Sequence, residues 1–365
     1  MIHIIKRFFL KLVLIAAGLK EKPEDQVMWD ESKQDSKTYA DLTLHDRGSS
    51  DHTYSALDQR TRIQREKPIP LHSFVDYIFD LMKDSRLKIC NEFSELLRSK
   101  ATSTTTKASL KINANRNRGS VVPYDFNRVR LQEKKDGSDY VNASFVLNQS
   151  YIITQYPLPK TAGHFWRMVW EQNCPLIVAL TVDDEKYKEE WYFPASDGAV
   201  RTVSGIDVEL VATFNILDKV TLHKLKLSKG KQLKNVNHIH AYGLRMVNIS
   251  DQLLHVINLV AVNNTKIQSN GPYVVHGGCV GIDYSGVFVL VDHLVKLIDS
   301  GVNRIDVYGS TFTIMSERRD VLTTEEQYAV IYTFLKRYII NKSRPGKHHS
   351  SFDIKDAASA YEYLP

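Results

Sequence analysis

The stretch from Gly271 to Asp292 decides the fold, and it reads GPYVVHGGCVGIDYSGVFVLVD. The apolar run Tyr273–Val275 is typical of a short buried strand, and Val287–Val291 is the apolar start of a helix. A glycine-rich loop joins the two. A strand, such a loop and a helix in this order form the geometry of a phosphate cradle, because backbone N–H groups at a helix N-terminus attract anions.

This segment resembles the active-site segment of the protein tyrosine phosphatases, in which a strand, His, Cys, five residues, Arg, Ser or Thr, and Gly lead into a helix. Other phrases that resemble this family, in the family's order, are Val121–Leu131, Asp139–Phe145, Tyr151–Pro159, His164–Gln172 and Trp191–Pro194. The resemblance covers roughly residues 68 to 340. It implies an α/β fold with a highly twisted mixed β-sheet flanked by α-helices on both sides.

Periodicity in the sequence predicts several elements of this fold. Apolar residues at helical spacing predict a helix from Phe74 to Met82, and a closing helix is expected from Glu325 to Ile339. Alternating segments at Ile206–Phe214 and Val220–Leu227 predict antiparallel strands. His238 and His240 alternate on a further strand, where structural roles are expected.

The residues that carry the chemistry in that family are replaced in this chain. Matched from the left at His276, the nucleophile position falls on Gly277; matched from the right at Ser285, it falls on Gly278. The position of the phosphate-binding arginine falls on Tyr284. From His276 to Tyr284 is eight steps, against seven in the family motif, so the loop is one residue longer.

Three other functional positions of the family also differ. The general acid position falls on Met246, so the leaving group has no proton donor there. The glutamine that holds the hydrolytic water is replaced by Thr323, while a second glutamine is kept as Gln327. The tyrosine that stacks on the substrate ring has no aromatic counterpart in Asn115–Ser120.

Cys279 is the thiol of this loop, and it keeps an enzyme open as an alternative. A phosphatase cysteine needs an arginine six residues on, but that position is Ser285, and Asp283 would repel a phosphate. A small buried cysteine is the competing interpretation. The residues that would line a remaining binding site are His276, Gly277, Gly278, Cys279, Val280, Gly281, Ile282, Asp283, Tyr284, Ser285 and Gln327.

Composition indicates a globular protein. Of the 365 residues 43% are hydrophobic and 25% are charged, and the net charge of +6 comes without a basic block of the kind that binds nucleic acid. The three cysteines, Cys90, Cys174 and Cys279, are widely spaced and match neither a disulfide framework nor a metal site. We therefore expect a reducing compartment, the cytoplasm, and no metal or other cofactor.

Residues 1–18 combine basic and apolar positions, and three interpretations are compatible with them. They are a weak signal sequence, a basic amphipathic helix on the inner membrane surface, and a helix packed on the domain. Lys11 interrupts the apolar run, which is too short to span a bilayer.

Polar segments with tyrosine motifs flank the predicted phosphatase-like domain of residues 68–342. Residues 19–67 are predicted to be a flexible arm and hold Tyr39 and Tyr54, each followed by Leu three positions on. The tail of residues 343–365 holds Tyr361 in a Ser-x-Tyr-x-x-Leu sequence. Phosphorylation of such tyrosines creates ligands for Src-homology-2 domains.

The sequence therefore predicts a catalytically inactive phosphatase-like protein that binds or scaffolds partners in phosphotyrosine signalling. Two modes are open: a cradle that still holds a phosphotyrosine peptide, and a platform whose own tyrosines recruit partners. The alternative is an active phosphatase with atypical catalysis through Cys279.

Overall fold

The computed structural model describes residues 67–99, 105–110, 116–117, 119, 121–132, 139–182, 192–245, 249–264, 270–277 and 284–343. The predicted segment 1–18, the arm up to residue 66 and the tail from residue 344 lie outside this part of the chain, and so do Tyr39, Tyr54 and Tyr361. Lys67, at the end of the predicted arm, is described.

Eight α-helices are present in the described ranges: α1 Phe74–Leu81, α2 Lys83–Arg98, α3 Lys107–Leu110, α4 Ala162–Glu171, α5 Ile249–Asn264, α6 Ser285–Asp299, α7 Val307–Glu317 and α8 Glu325–Lys342. A 3-10 helix, Leu71–Ser73, precedes α1. None of these helices is both long and apolar enough to cross a membrane.

The strands of the same ranges are β1 Ile69–Pro70, β2 Arg128–Arg130, β3 Tyr140–Val146, β4 Tyr151–Thr154, β5 Leu176–Leu180, β6 Val200–Val203, β7 Ile206–Leu217, β8 Val220–Lys229, β9 Gln232–Ala241, β10 Tyr273–His276 and β11 Arg304–Ile305. Nine of them form one sheet in the order β2-β3-β4-β10-β5-β9-β8-β7-β6. β1 and β11 form a separate antiparallel pair.

The centre of the large sheet is parallel and its margins are antiparallel. β10 lies between β4 and β5 and runs parallel to both, and β9 runs parallel to β5. The remaining pairs, β2–β3, β3–β4, β6–β7, β7–β8 and β8–β9, are antiparallel. All four residues of β10 are buried, as expected of a strand covered on both faces.

Helices cover both faces of this sheet. Side chains alternate between two apolar clusters, so that Val275 faces one and Val274 faces the other. α4 packs in the Val274 cluster through residues such as Trp166, whereas α1, α2, α5, α6, α7 and α8 pack in the Val275 cluster. The predicted α/β fold, a mixed sheet flanked by helices on both sides, is confirmed.

The predicted elements are found close to their expected bounds, and β7 and β8 continue to Leu217 and Lys229. The helix predicted from Phe74 ends at Leu81, and the closing helix continues past Ile339 to Lys342. The short helix α3 lies within the polar connection after α2. Its formation is explained by Asp125, which accepts hydrogen bonds from the backbone N–H groups of Lys107 and Ala108 at the start of the helix.

The two ends of the sheet differ in what they carry. We call the end where β5, β9 and β10 finish the cradle end, and the end where they begin the basal end. α6 runs from the cradle end back to the basal end. Near the end of this helix, Nζ of Lys296 lies 3.2 Å from the hydroxyl of Tyr151 and 4.4 Å from the ring centroid of Tyr273. These two tyrosines are the first residues of β4 and β10.

The domain also connects to its flanking segments at the basal end. The backbone N–H of Leu71 donates to the carbonyl of Asn303, just beyond the end of α6. Near the end of α8, Nζ of Lys342 lies 2.6 Å from Oδ1 of Asp299, the last residue of α6. Both flanking segments therefore join the domain away from the cradle.

Candidate functional site

The first residues of the cradle follow directly from the central strand. His276, the last residue of β10, is fully buried, and its Nδ1 lies 3.4 Å from the carbonyl oxygen of Gly277. Gly277 is also buried and brings no side chain to the site. Gly278, Cys279, Val280, Gly281, Ile282 and Asp283 lie outside the described residues.

Tyr284 closes the loop and precedes α6. Only 8% of its surface is exposed, and it belongs to the apolar cluster on the Val275 side of the sheet. Its carbonyl accepts the N–H of Phe288 at 2.9 Å, so its backbone already belongs to the first turn of the helix. The position matched to the family's arginine therefore carries a buried aromatic side chain.

The start of α6 is held close to the backbone of a neighbouring segment. Ser285 is fully buried, and a Cβ added to Gly286 would lie 2.4 Å from the carbonyl oxygen of Val321. No side chain fits at that distance. The glycine of the Ser-Gly pair is thus explained by close packing.

Four histidines and a tyrosine form a cluster at the cradle end. His223 lies on β8, His238 and His240 on β9, and His276 on β10. The hydroxyl of Tyr192 lies 2.5 Å from Nε2 of His238 and 3.3 Å from Nε2 of His276. Ring centroids of His238 lie 5.4 Å from His223 and 6.4 Å from His276. The structural roles expected for His238 and His240 agree with these contacts.

Burial keeps this cluster uncharged. Desolvation lowers the pKa of His276 to about 4, that of His223 to about 4 and that of His240 to about 3. The pKa of His238 is lowered well below its ordinary value for the same reason, and repulsion from its histidine neighbours adds to the shift. At neutral pH these imidazoles supply no positive charge for a phosphate.

Gln327 acts as part of a helix cap. Its Oε1 accepts the N–H of Thr323 at 2.8 Å and the N–H of Thr324 at 3.3 Å, while Oγ1 of Thr324 accepts the N–H of Gln327 at 3.3 Å. This reciprocal pair is a capping box for α8. The retained glutamine thus stabilises the start of the helix.

The wall of the site near residue 116 is polar. Oδ1 of Asn117 accepts hydrogen bonds from the hydroxyl of Tyr140 at 2.6 Å and from Nδ2 of Asn142 at 3.0 Å. Nε2 of Gln155 donates to the carbonyl of Arg116 at 2.7 Å. The cavity that Arg116, Tyr140, Asn142 and Gln155 line has a volume of about 10 Å³, which suits a single water molecule.

The general acid position, Met246, lies just beyond a described segment. Leu244 is fully buried and its N–H donates to the carbonyl of Thr181 at 3.0 Å, which fixes this segment beside the end of β5. Arg245 is exposed, and residues 246–248 lie outside the described part. The side chain at the acid position is therefore known from the sequence alone.

Sequence reasoning missed two members of the histidine cluster and a buried arginine. Tyr192 was noted only within a phrase that resembles the family, and His223 only within a predicted strand, because the register that places His223 opposite His238 is not readable from the sequence. Arg318 is fully buried, and its Nη2 donates to Oδ1 of Asn142 at 2.6 Å. That guanidinium is bound to one amide and to the hydroxyl of Ser144 in the core, and no sequence pattern had marked it.

The two cysteines in the described part of the chain, Cys90 and Cys174, do not replace the family's catalytic cysteine. Cys174 is buried at the start of β5, and burial raises the pKa of its thiol far above neutral pH. Cys90 lies on α2, among residues that pack against the Val275 cluster. Neither belongs to the loop that follows β10.

Comparison with known proteins agrees with this architecture. The sequence profile of the family described as protein-tyrosine phosphatase matches residues 113–337. The phosphatidylinositol phosphatase PTPRQ of Rattus norvegicus is 32% identical over 317 residues, which is 84% of this chain and 13% of that protein. Receptor-type tyrosine-protein phosphatase F of Homo sapiens is 30% identical over 281 residues, 73% of this chain and 14% of that protein.

A third relative, receptor-type tyrosine-protein phosphatase S of Gallus gallus, is 30% identical over 281 residues, 73% of this chain and 18% of that protein. The chain thus spans less than a fifth of the length of these relatives. The profile match covers more than half of the chain, and the shared phrases lie on the central sheet and its helices. The chain belongs to the protein-tyrosine phosphatase family.

Proposed function

We propose that this chain is a catalytically inactive member of the family that acts as a binding or scaffolding element in phosphotyrosine signalling. The observation that carries the proposal is Tyr284, which lies buried in the apolar core at the position matched to the phosphate-binding arginine. In the family's chemistry that arginine holds the phosphate by two parallel hydrogen bonds. A buried phenol cannot do so.

The residues that precede Tyr284 support the same proposal. Gly277 directly follows His276, and Gly278 occupies the other register, so neither alignment of the loop offers a thiolate. After His276 the next arginine in the sequence is Arg304. Arg304 belongs to the small β1–β11 pair at the basal end, and its Nη2 donates to the carbonyl of Pro68.

Of the two binding modes, the platform is the one we propose. Phosphate binding in the cradle would need positive charge, but the histidines below it are neutral at pH 7 and Asp283 adds a negative charge to the loop. Recruitment through phosphorylated Tyr39, Tyr54 and Tyr361 makes no demand on the cradle. The proposed partners are Src-homology-2 proteins on the cytoplasmic side of a membrane, since several relatives are named receptor-type phosphatases.

The first experiment measures hydrolysis by the full chain. The substrates are an aryl phosphate, a phosphotyrosine peptide and a phosphatidylinositol phosphate, the last because one relative is named a phosphatidylinositol phosphatase. An active family member serves as the positive control. We expect no turnover above that of a heat-denatured sample.

Turnover that disappears in Cys279→Ser would overturn the proposal and establish thiol catalysis through Cys279. Turnover that persists in that variant and copurifies with the chain would overturn it as well. The serine variant is a close isostere of cysteine, so loss of folding is not expected to mimic loss of chemistry.

The second experiment tests recruitment. The full chain is phosphorylated in vitro and titrated with purified tandem Src-homology-2 domains, beside Tyr39→Phe, Tyr54→Phe and Tyr361→Phe. We expect binding that requires phosphorylation and weakens at least tenfold when the engaged tyrosine is replaced. Equal binding by the phosphorylated and unphosphorylated chains would exclude the platform mode.

A further inference from the structure

We propose that the tip of the β8–β9 hairpin is a docking site for a bilayer that contains anionic lipid. The sequence from residue 219 to residue 250 contains six lysines and one arginine and no Asp or Glu. β8 and β9 fold this segment back on itself, so that several of its cations meet at one turn. We call residues 229–233 of this turn the basic tip.

The basic tip contains a tight two-residue turn. Lys229 pairs with Gln232 across the hairpin, which leaves Gly230 and Lys231 as the loop. Gly230 adopts a positive φ of 60°, the conformation that a tight hairpin turn of this kind takes from glycine. Such a turn presents its side chains with little loss of conformational entropy on binding.

The side chains of the basic tip combine exposed cations with an exposed apolar group. Lys229 and Lys231 are exposed, and neither forms an ion pair or side-chain hydrogen bond with the described part of the chain. Leu233 follows them and is 63% exposed. A leucine flanked by lysines suits the boundary between headgroups and acyl chains, where the leucine inserts and the lysines contact anionic headgroups.

The tip extends past the start of β5 at the basal end, and the start of β7 lies beside it, since Asp207 is opposite Ser228. Asn237 lies opposite Leu176, the first residue of β5, so Gln232–Val236 extend beyond that strand. Five residues of a strand span about 17 Å. Lys234 fixes the base of this projection, because its Nζ donates to the carbonyl of Trp170 at 2.7 Å and lies 4.4 Å from the centroid of its ring.

Nearby acidic groups are already engaged with other side chains. Glu209 pairs with Lys226 at 2.5 Å, and Asp207 accepts a hydrogen bond from Thr202 at 2.6 Å. Glu209 is thus neutralised by Lys226, whereas Asp207 keeps its charge, because Thr202 only donates a hydrogen bond to it, and the two cations of Lys229 and Lys231 outnumber that one carboxylate. Charge complementarity selects an anionic surface as the occupant.

The tip lies at the end of the sheet opposite the cradle, so its position favours a membrane over a ligand that also occupies the cradle. The tip extends the basal end, the same end at which Leu71 and Lys342 connect the domain to its flanking segments. A bilayer at this end leaves the cradle end facing the aqueous phase. The docking site is thus independent of the proposed scaffolding role.

The test uses sedimentation of the full chain with vesicles of phosphatidylcholine alone and with about 30% phosphatidylserine. The variant is Lys229→Glu with Lys231→Glu. Its matched control is Lys107→Glu with Lys160→Glu, two exposed lysines outside the basic tip. Thermal melting is used to verify that the variants are as stable as the wild type before their vesicle binding is compared.

We expect the chain to bind the anionic vesicles and the tip variant to bind them at least tenfold more weakly, since each lysine near such a surface contributes about fivefold. The control variant should stay within about threefold of the wild type. Leu233→Ser should weaken the binding that remains at about 0.5 M salt, where charge is screened.

Three results would overturn the proposal. They are no binding of the wild type to anionic vesicles, unchanged binding of the tip variant, and equal losses in the tip and control variants. Residues 1–18 are the same in all four proteins, so any affinity of that segment contributes equally to each.

Discussion

Tyr284 shows at the scale of one residue how a catalytic position can become part of a core. Its ring packs in the apolar cluster while its carbonyl accepts the N–H of Phe288 in the first turn of α6. Removing such a side chain would cost the domain both burial and packing density. At the position matched to the family's arginine, this chain therefore has a residue that contributes to the stability of the core.

Restoring arginine at this position should destabilise the domain. Tyr284→Arg places a charge where 8% of the side chain is exposed, so we expect the free energy of unfolding to fall by about 3 kcal/mol. Tyr284→Phe, which keeps the ring, should cost no more than about 1 kcal/mol. Urea unfolding measures both, and an arginine variant as stable as the wild type would show that the core does not require the ring.

The histidine cluster should make stability fall in mild acid. Unfolded histidines bind protons near pH 6.5, whereas in the folded state His276 and His223 bind them near pH 4 and His240 near pH 3. Below pH 6.5 the unfolded state therefore binds more protons, and the free energy of unfolding decreases as the pH falls towards 4. The loss is on the order of 2 kcal/mol per histidine at pH 5.

Chemical unfolding at pH 7.5, 6 and 5 measures this loss. His223→Asn should reduce the number of protons taken up on unfolding in this range by up to one. A free energy of unfolding that is constant from pH 7.5 to 5 would contradict the prediction.

At the scale of the element, α6 and α8 each depend on a particular contact at their first turn. Gly286 lets α6 approach the backbone of Val321, and the reciprocal pair of Thr324 and Gln327 satisfies N–H groups at the start of α8. Both contacts lie within the segments that resemble catalytic phrases of the family. Their residues are accounted for by packing and capping.

Gly286→Ala should destabilise α6 against its neighbour. Its Cβ would lie 2.4 Å from the carbonyl oxygen of Val321 and 2.8 Å from that side chain, and we expect a loss of about 2–3 kcal/mol. Because the nearer atom is backbone, adding Val321→Ala should not rescue the variant. Thermal melting of the single and double variants measures both effects. If Val321→Ala restored the stability lost in Gly286→Ala, the clash would be with the side chain of Val321 and not with its backbone.

Thr324→Ala should cost about 1 kcal/mol of unfolding free energy, because it removes the acceptor of the Gln327 N–H. Thr324→Ser keeps the acceptor and should retain most of the stability. Gln327→Ala should also destabilise, since two backbone N–H groups lose their partner. No effect of Gln327→Ala on stability would contradict its role as a cap.

The sequence predicted the elements well and their lateral arrangement poorly. Alternation located β7 and β8, and apolar periodicity located α1 and α8, because these patterns reflect which side of an element is buried. The meeting of His223, His238 and His276 depends on the register of four strands, β8, β9, β5 and β10. Nothing within one strand encodes that register, so this part of the site could not be predicted.

At the scale of the whole molecule, the described domain is built on a central strand that is covered on both faces. β10 is hydrogen-bonded to β4 and β5 and is buried throughout. β6 lies at one margin of the sheet, pairs with β7 on one side, and has no fully buried residue. Stability should therefore fall from the centre of the sheet to this margin.

Amide hydrogen exchange should reveal this gradient. We expect the amides of β10 to exchange only through global unfolding, and those of β6 to exchange through local opening several orders of magnitude faster. Mass spectrometry of peptides from residues 271–277 and 199–205 measures the difference. Equal protection of the two segments would mean that the margin opens only with the whole domain.

If the chain is inactive, as proposed above, the fixed positions of β10 and α6 limit how catalysis could arise in it. β10 is held in register by two neighbouring strands, and α6 is held at Gly286 by the backbone of Val321, so neither can slide to shorten the connection between them. The extra residue between His276 and Tyr284 would have to be lost by a deletion, together with the replacements for cysteine and arginine. Such a route passes through intermediates with neither the ring of Tyr284 nor a working cradle, so the inactivity proposed above would be difficult to reverse by successive single changes.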